Sequence, residues 1–219
     1  MIRTLPLVAT ASRRAIHKNA RLFGNVIDDM LRKYHASSPS CQSVKGDDHQ
    51  QPEGHRAANQ KYKGILQIQD SSNKGLGLFA SRDFDVGDLV MSSKPAVTTS
   101  VTRDSHTVQI DWDRHIVMNL PAVLINHSCD ANVGVRKNST NDAYDFWAIR
   151  PITEGEELTW DYEASEWELS TPFDCGCGSA KCRGRLQGFK VNGDIIKQRY
   201  GEYYADYLKK NQELITREI

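Results

Sequence analysis

From Lys63 onward the chain alternates apolar and polar positions in short runs broken by Gly, Pro, Asn and Asp. The runs are "KGILQIQ", "GLGLFASRD", "GDLVMSS", "AVTTSVT", "HTVQIDW", "HIVMNL", "NVGVRK", "DFWAIRPI" and "EELTWDY". A period of two over four to eight residues, ended by turn formers, predicts strands, and nine such runs predict a mainly β domain of α+β class. The pattern changes at both ends. Residues 36–60, "ASSPSCQSVKGDDHQQPEGHRAANQ", hold almost no apolar residue and read as a polar linker. From Asp194 to the end, Ile196, Tyr200, Tyr203, Tyr204, Tyr207 and Leu208 recur at helical spacing, which predicts one C-terminal helix packed on the domain. Residues 1–35 form a leader in which Ile16, Phe23, Ile27, Met30, Leu31 and Tyr34 fit a helical face.

A length of 219 residues suits one domain with appendages. Lys plus Arg equals Asp plus Glu at 28 each, so total charge points to no polyanion partner. Residues 1–60 carry nine basic and five acidic side chains, which leaves the remainder mildly acidic and without the basic stripe expected of a nucleic-acid binder. Direct nucleic-acid binding is therefore not expected. The acids concentrate between Glu154 and Asp174, eight carboxylates with no Lys or Arg, a face expected to attract a cationic, lysine-rich peptide. No run approaches the roughly 18 apolar residues that span a bilayer, so no membrane role is expected. The leader has Arg3, Arg13, Arg14, Lys18 and Arg21 and no acid before Asp28. That composition is expected of a mitochondrial transit segment, with a nuclear protein as the alternative.

Cysteine use adds chemistry. Three of five cysteines fall in "CGCGSAKC", at Cys175, Cys177 and Cys182, a C-x-C-x4-C spacing that favours metal over disulfides. A structural zinc normally takes four protein ligands, so one is missing from this cluster. The candidates are Cys41, Cys129 and the histidines; Cys41 lies in the polar segment, whereas Cys129, in "LINHSCDANV", closes an apolar run that can hold it rigidly and is the preferred fourth ligand.

Taken in order, "NKGLGLFASRD", "LINHSCDANV", "GEELTWDYE" and "CGCGSAKCRG" resemble the SET-domain protein lysine methyltransferases with a post-SET zinc motif, over about Gly64 to Arg185. The resemblance implies a SET fold of small curved sheets with a knot-like C-terminal crossing, over residues 61–170, then a post-SET zinc flap over 171–188 and the helical tail over 189–219. It implies S-adenosylmethionine held by backbone at Lys74, Gly75, Leu76 and Gly77 and contacted by Asn126 and His127. Tyr162 matches the active-site tyrosine, also lining the cofactor site, and Cys129, Cys175, Cys177 and Cys182 match the structural zinc ligands. The implied reaction is methyl transfer to a lysine of a histone or other protein; the alternative is a non-catalytic SET-fold binding module.

The chain also departs from that pattern. No cysteine-rich cluster precedes the domain, "VMSSKPAVTTS" replaces the usual aromatic and acidic segment, and Val123-Leu124 stands for Arg-Phe ahead of Ile125-Asn126-His127. Trp112, Tyr144, Phe146, Trp147 and Phe173 are the candidates to replace the missing aromatic wall of the lysine channel. Trp160 stands where Phe or Tyr is usual in the family and is expected to limit how many methyl groups the lysine accepts.

Overall fold

The computed structural model describes residues 52–72, 74–96 and 103–215. The leader and most of the polar segment, Cys41 included, lie outside the described residues, as does most of the run "AVTTSVT". Residues Glu53–Ile219 gather into one unit.

The polar stretch expected to be linker through residue 60 ends earlier. Helix α1 spans Glu53–Lys61, with Glu53 in its first turn and Lys61 in its last, the arrangement that complements the helix dipole. The reason it forms lies in side chains a hydropathy pattern passes over. Ala58 and His55 are buried, and Asn59 Oδ1 accepts the N–H of Ile68 at 2.8 Å, so a polar helix docks on a strand by hydrogen bonding.

Strands β1 (Leu66–Asp70) and β2 (Leu76–Ala80) form an antiparallel hairpin in the register Leu66 to Ala80. In β1, Leu66 and Ile68 point inward while their neighbours are exposed, which is the period of two read from the sequence. β3 is Leu89–Ser92, and β4 (Val108–Asp111) pairs antiparallel with β5 (Arg114–Ile116). A short 3-10 turn at Ala122–Leu124 leads into β6 (Asn126–His127). Next come β7 (Val133–Asn138) and β8 (Ala143–Ala148), and β8 is the central strand of a three-stranded sheet with β3 and β7. Its position explains why Tyr144 and Phe146 are fully buried.

β9 (Thr159–Trp160) returns to pair parallel with β6, setting Asn126 opposite Thr159 and His127 opposite Trp160. It is the parallel pair among the described strands, and it brings residues over thirty positions apart to one place. A second 3-10 turn, Tyr162–Ala164, follows at once, with Asp161 as its N-cap accepting from the N–H of Glu163. β10 (Phe173–Asp174) and β11 (Arg185–Leu186) then form a small antiparallel ribbon that flanks the cysteine cluster.

The expected single C-terminal helix is two: α2, Phe189–Tyr200, and α3, Asp206–Ile215. The chain breaks at Gly201, whose φ of +59° lies where side-chain-bearing residues are disfavoured. The tyrosines continue the apolar spacing across the break, which is why periodicity alone reads one helix. Tyr204, Tyr207 and Leu208 are buried in the core that the small sheets share with Ile196 and Phe189. Among the described residues no helix is long and apolar enough to cross a membrane.

Candidate active site and metal centre

The β6/β9 pair is the centre of the site. Asn126 donates from Nδ2 to the carbonyl of Leu76 at 3.1 Å and to Glu157 Oε1 at 2.8 Å. Glu157 Oε1 also accepts from Ser71 Oγ at 2.6 Å, and its Oε2 takes Lys74 Nζ at 2.9 Å. One carboxylate thus gathers the G-x-G turn, the Asn-His strand and the start of β9. Gly77 is required here: a Cβ on it would stand 2.9 Å from Glu157 Oε1, 3.0 Å from Ser71 Cβ and 3.1 Å from Asn126 Nδ2. The absent side chain therefore makes room for Glu157 and Asn126. Gly75 differs, since its φ is +78° and the space beyond its Cα is open, so backbone there is accessible to a ligand. Glu157 was not singled out by its sequence; its position opposite the second glycine is a tertiary relationship.

His127 joins the strand pair to the tyrosine and to the cysteines. Its Nδ1 accepts the N–H of Tyr162 at 3.3 Å, and its Nε2 lies 3.4 Å from Cys129 Sγ. With Nδ1 accepting, the proton is on Nε2 and points at sulfur. Burial, helped by the nearby Arg183 charge, holds the imidazole neutral with a pKa of about 3. The Tyr162 hydroxyl donates to the carbonyl of Ile125 at 3.3 Å. Burial and the Glu157 charge push that phenol up to about 12, so it stays protonated at neutral pH.

Around Tyr162 the aromatic rings sort into neighbours and non-neighbours. Trp160 is 3% exposed and sits 5.3 Å from the Tyr162 ring, with Phe146 at 5.7 Å and Tyr144 at 6.4 Å on its other contacts. Phe173 meets the His127 ring edge-on at 6.1 Å. Of the five candidates for the missing wall, Phe173 is the one whose ring pairs with His127, whereas Tyr144 and Phe146 back Trp160. Tyr144 and Phe146 are core, the Tyr144 hydroxyl donating to Gln109 O at 2.6 Å. Trp112 packs edge-to-face on Trp167 and Tyr207, and Trp147 Nε1 is a buried donor with no hydrogen-bond partner.

The four Sγ atoms of Cys129, Cys175, Cys177 and Cys182 lie within 4.8 Å of one another. Cys129 is fully buried and stands 3.8 Å, sulfur to sulfur, from Cys175. Zinc–sulfur bonds of about 2.3 Å place tetrahedral sulfur pairs about 3.8 Å apart, so the donor set and its spacing fit zinc. Backbone N–H groups already point at three of these sulfurs: Cys177 N at Cys175 (3.4 Å), Arg183 N at Cys129 (3.5 Å) and Gly184 N at Cys182 (3.4 Å). Such donors stabilise thiolate ligands. Burial pushes the free thiols of Cys129 and Cys175 upward, a direction that a divalent cation reverses.

The acidic run does not form the cation-attracting face expected of it. Asp161, Glu163 and Glu166 are buried. Glu156 pairs with Arg150 at 2.6 Å, Glu157 with Lys74 at 2.9 Å, Glu168 with Lys190 at 2.7 Å and Asp174 with Arg185 at 2.9 Å. Asp161 and Glu163 share Arg183, each at 2.7 Å from Nη2, and this triad is buried on all three sides. The bases all lie outside the run, from Lys74 to Lys190, so a charge count confined to residues 154–174 does not see these pairings. Arg183 itself, between Cys182 and Gly184, had no sequence signal beyond adjacency to a ligand.

Against known proteins, residues 75–163 match the model of the SET domain family. The chain is 26% identical over 165 residues to "Histone-lysine N-methyltransferase trr" of Drosophila melanogaster, 68% of this chain and 7% of that protein. It is 29% identical over 107 residues to "Methyltransferase flvH" of Aspergillus flavus, 48% of this chain and 59% of that one. A crystal structure of Arabidopsis thaliana SUVH6 in complex with SAM overlaps 58% of this chain and 34% of its own, with 21% identity and a TM-score of 0.45. The chain thus spans less than two thirds of the length of each. The family match covers residues 75–163, the segment that holds Gly75, Asn126, His127 and Tyr162, and there the chain is similar to the SET domain.

Proposed function

We propose that the protein is an S-adenosylmethionine-dependent methyltransferase acting on a protein lysine, with a structural zinc at Cys129, Cys175, Cys177 and Cys182. The observation that carries the reading is the convergence of the accessible Gly75 backbone, the Asn126-His127 strand and Tyr162 on the β6/β9 pair, within the segment that matches the SET domain. Relatives named as histone-lysine N-methyltransferases support the reaction class.

When bound, S-adenosylmethionine supplies a methyl group activated by a sulfonium. The backbone around Gly75 is open to hold that ligand, and Asn126 and His127 fix the strand beside it. A lysine amine has an ordinary pKa of about 10.4 and attacks only after losing its proton. Apolar walls such as Trp160 and Phe173 disfavour the ammonium form and so favour the nucleophile. The cofactor would supply its methyl carbon to an amine that has already given its proton to solvent, the sulfur keeping the electron pair of the carbon–sulfur bond. Tyr162, protonated at neutral pH, orients the reacting atoms by hydrogen bonding and does not act as a base. The zinc would hold the segment after Asp174 against β6 and take no part in the chemical step.

Incubating the full-length protein with labelled S-adenosylmethionine and a whole-cell extract, then mapping label by mass spectrometry, tests this. Label on lysine side chains is expected. Tight cofactor binding with no label transferred would favour a SET-fold binding module instead. The basic leader supports a mitochondrial address, and a nuclear full-length protein would contradict that.

A further inference from the structure

Arg183 connects two parts of the molecule that the SET assignment treats separately. Its backbone N–H donates to Cys129 Sγ at 3.5 Å, and it directly follows Cys182. Its guanidinium reaches the two residues that flank Tyr162: Nη2 to Asp161 Oδ1 at 2.7 Å, and Nε to Glu163 Oε2 at 2.9 Å. The side chain of Arg183 is 6% exposed, that of Asp161 1% and that of Glu163 0%, so solvent does not screen these contacts.

Each acid is also tied to the helical tail. The Tyr200 hydroxyl donates to Asp161 Oδ2 at 2.9 Å. Glu163 Oε1 accepts from the N–H of Gln187 and of Gly188, both at 2.8 Å, and from Asn192 Nδ2 at 3.0 Å. Tyr162 is therefore bracketed by two carboxylates that share one guanidinium, and the main chain of that arginine is pinned between two thiol ligands. We infer that Arg183 is a positioning residue that couples filling of the four-cysteine site to the placement of Tyr162. With a metal drawing Cys129 and Cys182 to one centre, the root of the Arg183 side chain is fixed and its planar fork spans both acids. Without the metal, the root is released and the turn carrying Tyr162 loses its common anchor. A lysine keeps the charge but cannot make the fork. The kinetic part of this inference rests on the methyltransferase reading; the structural part does not.

Hydrogen exchange read by mass spectrometry on the full-length protein, zinc-loaded and chelator-treated, separates the two. In the native chain, zinc removal should speed exchange in peptides covering residues 159–166. In Arg183→Lys, with one zinc still bound per chain, those peptides should already exchange fast, and chelation should add little. In parallel, kcat for Arg183→Lys should fall about tenfold or more while the KM for S-adenosylmethionine moves less than about threefold, as expected for lost alignment. Should Arg183→Lys fail to fold, Glu163→Gln removes one of the two ionic contacts at constant shape and should move both readouts in the same direction. A zinc-loaded Arg183→Lys with native exchange and native kcat overturns the coupling. So does a native chain whose 159–166 exchange ignores zinc, or one that binds no zinc. If the native chain transfers no methyl group, the functional reading fails and the exchange data still decide the coupling.

Discussion

The N–H of Tyr162 donates to Nδ1 of His127 at 3.3 Å, and this fixes which face of the imidazole is left for Cys129. One neutral histidine thus lies between the tyrosine and one thiol of the four-cysteine cluster, so the candidate metal site and the candidate reaction centre are adjacent.

Replacing Cys129 by Ser should lower zinc content below one per chain and lower thermal stability with it, since Cys129 is the buried member of the four-thiol set. Zinc measured by mass spectrometry against protein concentration checks this. Because thiolate ligands must be deprotonated, native zinc loss should grow as pH falls. Full stoichiometry in the variant would remove Cys129 from the site.

Glu166 gives a pH effect of the opposite sign. It is buried, accepts the N–H of Gln109 at 2.6 Å, and lies 3.8 Å from His115, whose own pKa burial lowers; burial raises the carboxyl to about 7. A carboxyl raised in the folded state favours folding below its unfolded pKa of 4.5, and that contribution is lost as pH rises toward about 7. The loss is at most on the order of 3 kcal/mol at 1.36 kcal/mol per unit. Glu166→Gln should leave stability near native at pH 5 and raise it at pH 8. Thermal melts of the two proteins across that range measure the difference, and parallel curves would contradict a buried, protonated Glu166.

Trp160 fills the space between Tyr162 and the pair Tyr144 and Phe146. Trp160→Phe should open room beside the tyrosine, shift product toward higher methylation states, and cost roughly 1–2 kcal/mol as a partial cavity. Mass spectrometry of a peptide product tests the shift. Predominant trimethylation by the native protein, or an unchanged distribution in the variant, would leave Trp160 with packing alone.

Most of what could be read in advance was local. Strands announced themselves by alternation, as in Leu66 and Ile68 of β1, and three thiols within eight positions announced a metal donor set. The opposite held where partners are distant. Asp161 and Glu163 look like solvated acids until Arg183 folds onto them, and Glu157 looks like one more charge until Gly77 makes room for it. Helix α1 was hidden because it docks through Asn59 and a buried histidine, with little apolar surface to mark it. The break at Gly201 was hidden because tyrosines on both sides reach the same core.

Tyr162 is proposed to align a methyl transfer to lysine. Tyr162→Phe removes the hydroxyl and leaves the ring beside Trp160 and His127. The measurement is kcat with a lysine substrate, set against the calorimetric Kd for S-adenosylmethionine, for native and variant protein. The Kd should stay within about threefold of native and kcat should fall about 100-fold, the size expected when a reacting pair is misaligned. A variant with near-native kcat would contradict that role for Tyr162.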